Sequence, residues 1–188
     1  MMLRPVFLSL LAMTLCGCAA GGSALEAAGL RKPAGMADAL KPPRSVPIRL
    51  HAAKKLNVDA QGRPLALVAR IYTLRQNAAF LRAPYDAFLD PQKEKAALGT
   101  DLLDVKDVML VPGQRYEVVE KVSREAGFVG VVALFHSPAP QRWRLAYAVP
   151  DAEQAGVTIG AHACGLSSGA GAAAVGASAK LQSPAPCQ

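Results

Sequence analysis

The stretch Leu103-Asp104-Val105-Lys106-Asp107-Val108-Met109-Leu110-Val111-Pro112-Gly113-Gln114-Arg115-Tyr116-Glu117-Val118-Val119-Glu120-Lys121-Val122 carries two runs of alternating apolar residues around a turn. Leu103, Val105, Met109 and Val111 recur at strand spacing, with Asp107 breaking the row. Tyr116, Val118 and Val122 do the same beyond the turn. A strand sends successive side chains to opposite faces, so this period marks strands with one buried face. Val111-Pro112-Gly113-Gln114 puts Pro and Gly at the two central turn positions. Proline pre-sets its φ there and glycine accepts the positive φ of a type II turn. The expectation is two antiparallel strands joined by this turn.

The same signal extends outward in both directions. Ile48, Leu50 and Ala52 alternate with Arg49 and His51. Leu65 to Leu74 is an almost continuous apolar run, as expected of a central strand. Phe128 to Phe135 is apolar on both faces, and Ser137-Pro138-Ala139-Pro140 separates it from the next strand. There Trp143, Leu145, Tyr147 and Val149 alternate with Arg142 and Arg144, which makes Trp143 a core anchor rather than a binding residue. A short last strand runs through Val157 and Ile159. About seven short strands with short connections read as an all-β, two-sheet sandwich. From Gln76 to Leu98 the apolar spacing is helical, and Pro84 and Pro91 cut it into one or two short inserted helices.

The termini have a different character. Arg4 precedes an apolar run from Val6 to Leu15, which reads as a signal peptide too short to span a membrane stably. The run ends in Leu15-Cys16-Gly17-Cys18. This matches the lipobox of bacterial lipoproteins, with Leu three before the cut, a small residue before it and Cys after it. Cys16 cannot serve, because Leu15 would then occupy the small-residue position. Cys18 is therefore the expected acylation site, and its acyl chains the anchor in membrane lipid. Ala19 stands where Asp would signal inner-membrane retention, so the expected location is the periplasmic face of the outer membrane.

Residues 1–17 are thus the signal peptide, and 18–46 a lipidated N-terminus with an Ala-, Gly- and Pro-rich linker. Residues 47–160 are the sandwich, and 161–188 an Ala/Gly/Ser-rich tail expected to be disordered. The net charge of +7 falls to +6 with the loss of Arg4. The cations are scattered, with Lys54-Lys55 an adjacent pair, and most read as solvated strand faces; export argues against a nucleic-acid partner. Cys164 and Cys187 are left in a compartment that permits disulfides. They either pair and close a tail loop or are two unrelated thiols. The bridge is the expectation, since exposed thiols rarely persist in an oxidising space.

Three sets of residues are similar to one family. The first is Asn57-Val58-Asp59 through Gly62-Arg63-Pro64-Leu65, followed by Val68 to Leu74. The second is Leu98-Gly99-Thr100-Asp101-Leu102-Leu103 with the turn at Pro112-Gly113. The third is Val129-Gly130-Val131-Val132-Ala133-Leu134-Phe135, then Trp143-Arg144. In this order, and behind a lipobox, they resemble the type VI secretion lipoproteins called TssJ or SciN. The resemblance covers roughly residues 47–149 and leaves the tail cysteines without an account. It implies a transthyretin-like sandwich with a small helical addition. It implies an outer-membrane lipoprotein that moors the secretion complex by binding the periplasmic domain of a large, TssM-like inner-membrane subunit. It also points to the first inter-strand loop as the contact, with Asn57, Val58, Asp59, Gln61, Gly62 and Arg63.

The alternative is a periplasmic lipoprotein that holds a ligand or client with the same sandwich. An enzyme ranks last. His51, His136 and His162 lie on two strands and a tail, away from metal-ligand spacing. Ser167-Ser168-Gly169 lacks the strand-to-helix context of a nucleophile elbow. Asp101, Asp104 and Asp107 recur at spacing three, yet read better as solvated strand edges than as a cation site. No catalytic residue, metal or cofactor is expected.

Overall fold

The computed structural model describes residues 41–176 and Cys187. Among the described residues eight strands form: β1 (Arg44–Ala52), β2 (Leu67–Leu74), β3 (Leu102–Leu110), β4 (Arg115–Val122), β5 (Phe128–Ala133), β6 (Arg144–Ala148), β7 (Val157–Ala161) and β8 (Leu166–Ser168). Between β2 and β3 lie helix α1 (Ala78–Arg82), a 3-10 turn (Tyr85–Leu89), helix α2 (Pro91–Leu98) and a second 3-10 turn (Gly99–Asp101). Helix α3 (Val149–Ala155) separates β6 from β7. The strands make two four-stranded sheets, in orders β4-β1-β7-β8 and β3-β2-β5-β6. Pairing is antiparallel except for β1 with β7.

The two sheets meet over a filled core. Val46, Ile48 and Leu50 of β1 and Val157 and Ile159 of β7 face Leu67, Ala69 and Ile71 of β2, Val131 of β5 and Leu145 of β6, all buried. The other face of β2 and β5 is buried as well. Tyr72 packs on Phe80 of α1 and Phe88 of the 3-10 turn, with ring centroids 5.3 and 5.8 Å away. Gly130 lies beneath Phe80, where an added Cβ would stand 2.6 Å from the ring. The insertion thus covers this sheet, as its near-continuous apolar strands require.

Local chemistry places the helices. Asp90 caps α2, its carboxylate accepting from the backbone N–H of Gln92 and Lys93 at 2.8 and 3.2 Å. Pro91 occupies the first turn, and Gly99 follows the last with a φ of 54°. Arg144 of β6 donates to the carbonyls of Phe80, Leu81 and Ala83, satisfying acceptors that the end of α1 leaves open.

Several expectations need correction. The turn at Pro112-Gly113 has the expected form: Gly113 has φ 81° and Gln114 N–H donates to Val111 C=O at 3.1 Å. It does not join a hairpin, because β3 pairs with β2 and β4 with β1. A type II turn splays its flanking strands, whereas hairpins favour the mirror-image turns. Splayed strands are what a crossing between sheets needs. The inward face of β3 is also the other one. Val108 and Leu110 are buried, while Met109 is 59% and Val111 51% exposed. Asp107 lies outward, where it pairs with Arg70 at 3.0 Å.

Val149 begins α3 rather than continuing β6; Pro150 and Asp151 sit in the helix's first turn and Gly156 follows its end. Trp143 is buried, but its ring packs on Tyr85 and Phe88 of the insertion, at 5.0 and 5.4 Å, one residue before β6. The boundaries at 47 and 160 are too tight. β1 begins at Arg44, and β8 pairs with β7 inside the segment expected to be disordered. Beyond it, Val175 N–H donates to Ala146 C=O at 2.8 Å, so this segment straps the β6 edge.

Candidate functional site

Antiparallel and parallel pairing together bring four connections to one end of the sandwich. They are residues 53–66, 111–114, 134–143 and 162–165. Backbone hydrogen bonds tie them to one another. Asn57 N–H donates to His162 C=O at 3.1 Å, Val58 to Ala163 at 2.9 Å, Gly113 to Ala53 at 3.2 Å and Ala139 to Cys164 at 2.7 Å.

The loop from Asn57 to Arg63 is built around two of its own side chains. Asn57 is buried with φ 45°, a conformation that Asn tolerates better than most residues. Its Nδ2 donates to Ala66 C=O, and its Oδ1 accepts from His136 N–H, both at 2.7 Å. The Asp59 carboxylate accepts from the backbone N–H of Gln61 and Arg63, each at 2.9 Å. Its second oxygen takes Arg63 Nε at 2.7 Å. These bonds, the Arg63 N–H first among them, hold the Asp59 carboxyl below its ordinary pKa. Gly62, at φ 74°, closes the turn by donating to Asp59 C=O at 2.9 Å.

The loop is therefore ordered before any partner arrives. Of the six residues expected to bind, Asn57, Asp59 and Gly62 shape the loop. Val58 is half-buried. Gln61 and Arg63 are exposed, the Arg63 side chain by 74%. Lys54 and Lys55 form an adjacent basic pair. They are exposed in the turn after β1, at this same end. Their adjacency in the sequence was the available signal.

Cys164 and Cys187 are bonded, with Cα atoms 5.8 Å apart. The loop they close contains β8 and the strap over β6, so it is more than a bare tail. Cys18 lies outside the described residues. His162 and Ser167, far apart in role at the level of sequence, are neighbours: Nε2 and Oγ are 2.7 Å apart. A serine beside a histidine can be a nucleophile and its base. Here the two groups fill the space above Gly160, where a Cβ would meet both within 2.8 Å. Burial lowers the His162 pKa.

The fold and its loop end define a β-sandwich module that presents a pre-ordered loop cluster at the end opposite the start of β1. A family model described as type VI secretion lipoprotein (VasD, EvfM, TssJ) matches residues 44–164. The chain belongs to this family and is a membrane-associated component of type VI secretion. It is similar to the lipoprotein TssJ1 from Pseudomonas aeruginosa, with 31% identity over 72% of this chain and 99% of that one, at a TM-score of 0.61. A chain from a type VI membrane complex is 28% identical over 67% and 98% of the two chains, again with a TM-score of 0.61. One from the structure of the TssM C-terminal domain from EAEC is 28% identical over 66% and 97%, at 0.57. Among curated protein sequences, none matches.

Proposed function

We propose that this lipoprotein is acylated on Cys18, sits on the periplasmic face of the outer membrane, and moors the secretion complex by binding the periplasmic domain of a TssM-like inner-membrane subunit. The carrying observation is the loop from Asn57 to Arg63, pinned at both ends and displaying Gln61 and Arg63 outward. Preorganisation lowers the entropy lost on binding, and binding residues concentrate on loops held by a rigid scaffold. The similar chain from the TssM C-terminal domain structure supports the choice of partner. The core between the sheets is filled by Ile48, Ile71, Val131 and Leu145, all at most 4% exposed, which favours mooring over enclosure of a ligand.

The test is a pull-down from detergent-solubilised envelope. Wild type should recover one very large inner-membrane protein. Arg63→Glu with Gln61→Ala should recover less of it while staying folded and at the outer membrane. Cys18→Ser should release the protein from the membrane and abolish secretion. Recovery unchanged in the loop variant moves the interface elsewhere, and an unmodified Cys18 in the mature protein removes the anchor. An exported protein would also carry the Cys164–Cys187 bond, which non-reducing peptide mapping reads directly.

A further inference from the structure

The loop end carries a charge imbalance that the rest of the domain lacks. In its four connections the cations are Lys54, Lys55, Arg63 and Arg142, and the one anion is Asp59. Asp59 is already held by Arg63. At the opposite end Arg75 meets Glu125 at 2.7 Å and Arg44 meets Glu153 at 3.9 Å, while Arg124 donates to the Pro42 carbonyl. Helix α3 adds Asp151 there and no cation.

An apolar patch adjoins the basic rim. Val111 and Pro112 are exposed on the β3–β4 turn. Gly113 N–H binds Ala53 C=O, which places that turn against the residue preceding Lys54. An exposed apolar centre flanked by charge is the usual anatomy of a protein interface, and lysine at a rim speeds encounter more than it slows release.

We infer that Lys54 and Lys55, with Val111 of the adjoining β3–β4 turn, form a cationic docking face for an acidic protein surface. This rests on the proposed function and names the chemistry of the partner's side: carboxylates around an apolar contact on the periplasmic domain. An anionic membrane is the weaker occupant. β1 starts at Arg44 and, nine residues long, runs roughly 30 Å at strand rise, so Lys54 lies at the end of the sandwich away from the start of the described chain.

The experiment measures association of the lipidated protein in detergent with the purified periplasmic domain of the cognate inner-membrane subunit. Rates are read at about 50 and about 300 mM salt, spanning a large change in screening. Wild type should associate at least about tenfold more slowly at high salt. Lys54→Glu with Lys55→Glu, in an exposed turn, should melt like wild type. It should lose most of the salt dependence and associate about tenfold more slowly at low salt, with little change in dissociation. Val111→Asp should instead speed dissociation. Binding that ignores both salt and the lysine pair overturns this inference and leaves the proposed function standing. Absence of wild-type binding at either salt overturns both. A third arm uses phosphatidylglycerol vesicles. If the lysine variant loses vesicle binding but keeps wild-type rates with the protein domain, the face belongs to a membrane.

Discussion

The two sheets are built from strands of similar length, yet they bury differently. The β3-β2-β5-β6 sheet lies between the opposing sheet and the helical insertion. Its β5 reads Phe128-Val129-Gly130-Val131-Val132-Ala133, apolar throughout and buried but for a half-covered Phe128. The β4-β1-β7-β8 sheet has one face against the core and one toward solvent. Its β1 alternates, with Val46, Ile48 and Leu50 buried and Arg49 exposed. Cover on the second face therefore changes what a side chain there is worth. Beneath the insertion, polar groups must find partners; on the open face, water supplies them.

The sharpest way to break the covered side is at Trp143, which joins Tyr85 and Phe88 in one aromatic cluster. Trp143→Ala should cost roughly 3–5 kcal/mol in urea unfolding. A change below about 1 kcal/mol would mean that the insertion contributes little to the sheet it covers.

Next is the buried charge under the insertion. Glu94 of α2 accepts from the Tyr72 hydroxyl and faces Arg70 at 3.3 Å, and it is 6% exposed. Glu94→Ala would strand the Tyr72 hydroxyl and leave the partly buried Arg70 guanidinium with only Asp107 and the Phe88 carbonyl. It should cost about 3 kcal/mol, at the low end for a broken buried pair because Asp107 still holds Arg70. Glu94→Gln keeps an acceptor for Tyr72 and should cost less. Equal losses in the two variants would show that packing, not the polar contact, is what matters there.

Gly130→Ala probes the closeness of the cover itself. The new methyl group would meet the Phe80 ring at 2.6 Å, and that ring is fixed between Tyr72 and Phe88. The expected loss is about 1–3 kcal/mol, as for overpacking elsewhere. No change in the midpoint would mean that α1 can lift. Arg49→Ala, on the open face of β1, is the matching control and should stay within about 0.5 kcal/mol.

These contrasts show which parts of the fold were legible from sequence. One-sided β1 and two-sided β2 and β5 each announced their surroundings, because period and continuity report burial directly. The phase of β3 did not. Its run holds apolar residues in both registers, and the choice depends on Ile71, Val68 and the other partners across the ladder. The edge charges were equally silent: Lys106 meets Glu120 at 2.8 Å across the gap between the two sheets' edge strands. The Pro-Gly turn carries the crossing between sheets in its type, although the alternation on both sides of it suggests a hairpin. At the site, Asp59 and Gly62 were visible as loop chemistry. That Asp59 turns toward Arg63 was not, since a loop carboxylate looks the same in sequence whether it faces a partner or its own backbone.

The smallest expected effect lies on the open face and is a change of slope with pH. His162 and Ser167 cover Gly160 there, and the half-buried imidazole is held below the ordinary histidine pKa of 6.5 by loss of water. The unfolded chain therefore takes up a proton first as pH falls. Stability from this group is complete above 6.5 and is lost as pH drops toward the lower folded value. Asp59 and Asp90 are held below 3.8, mainly by backbone N–H groups, so their contributions fade only in stronger acid. Between about pH 7.5 and about 5.5 the urea midpoint should fall for wild type and fall less for His162→Gln, whose amide can still reach Ser167 but does not titrate. At the upper pH the two proteins should nearly coincide. Parallel slopes would mean that solvent reaches the ring freely and that this face is as open at Gly160 as it is at Arg49.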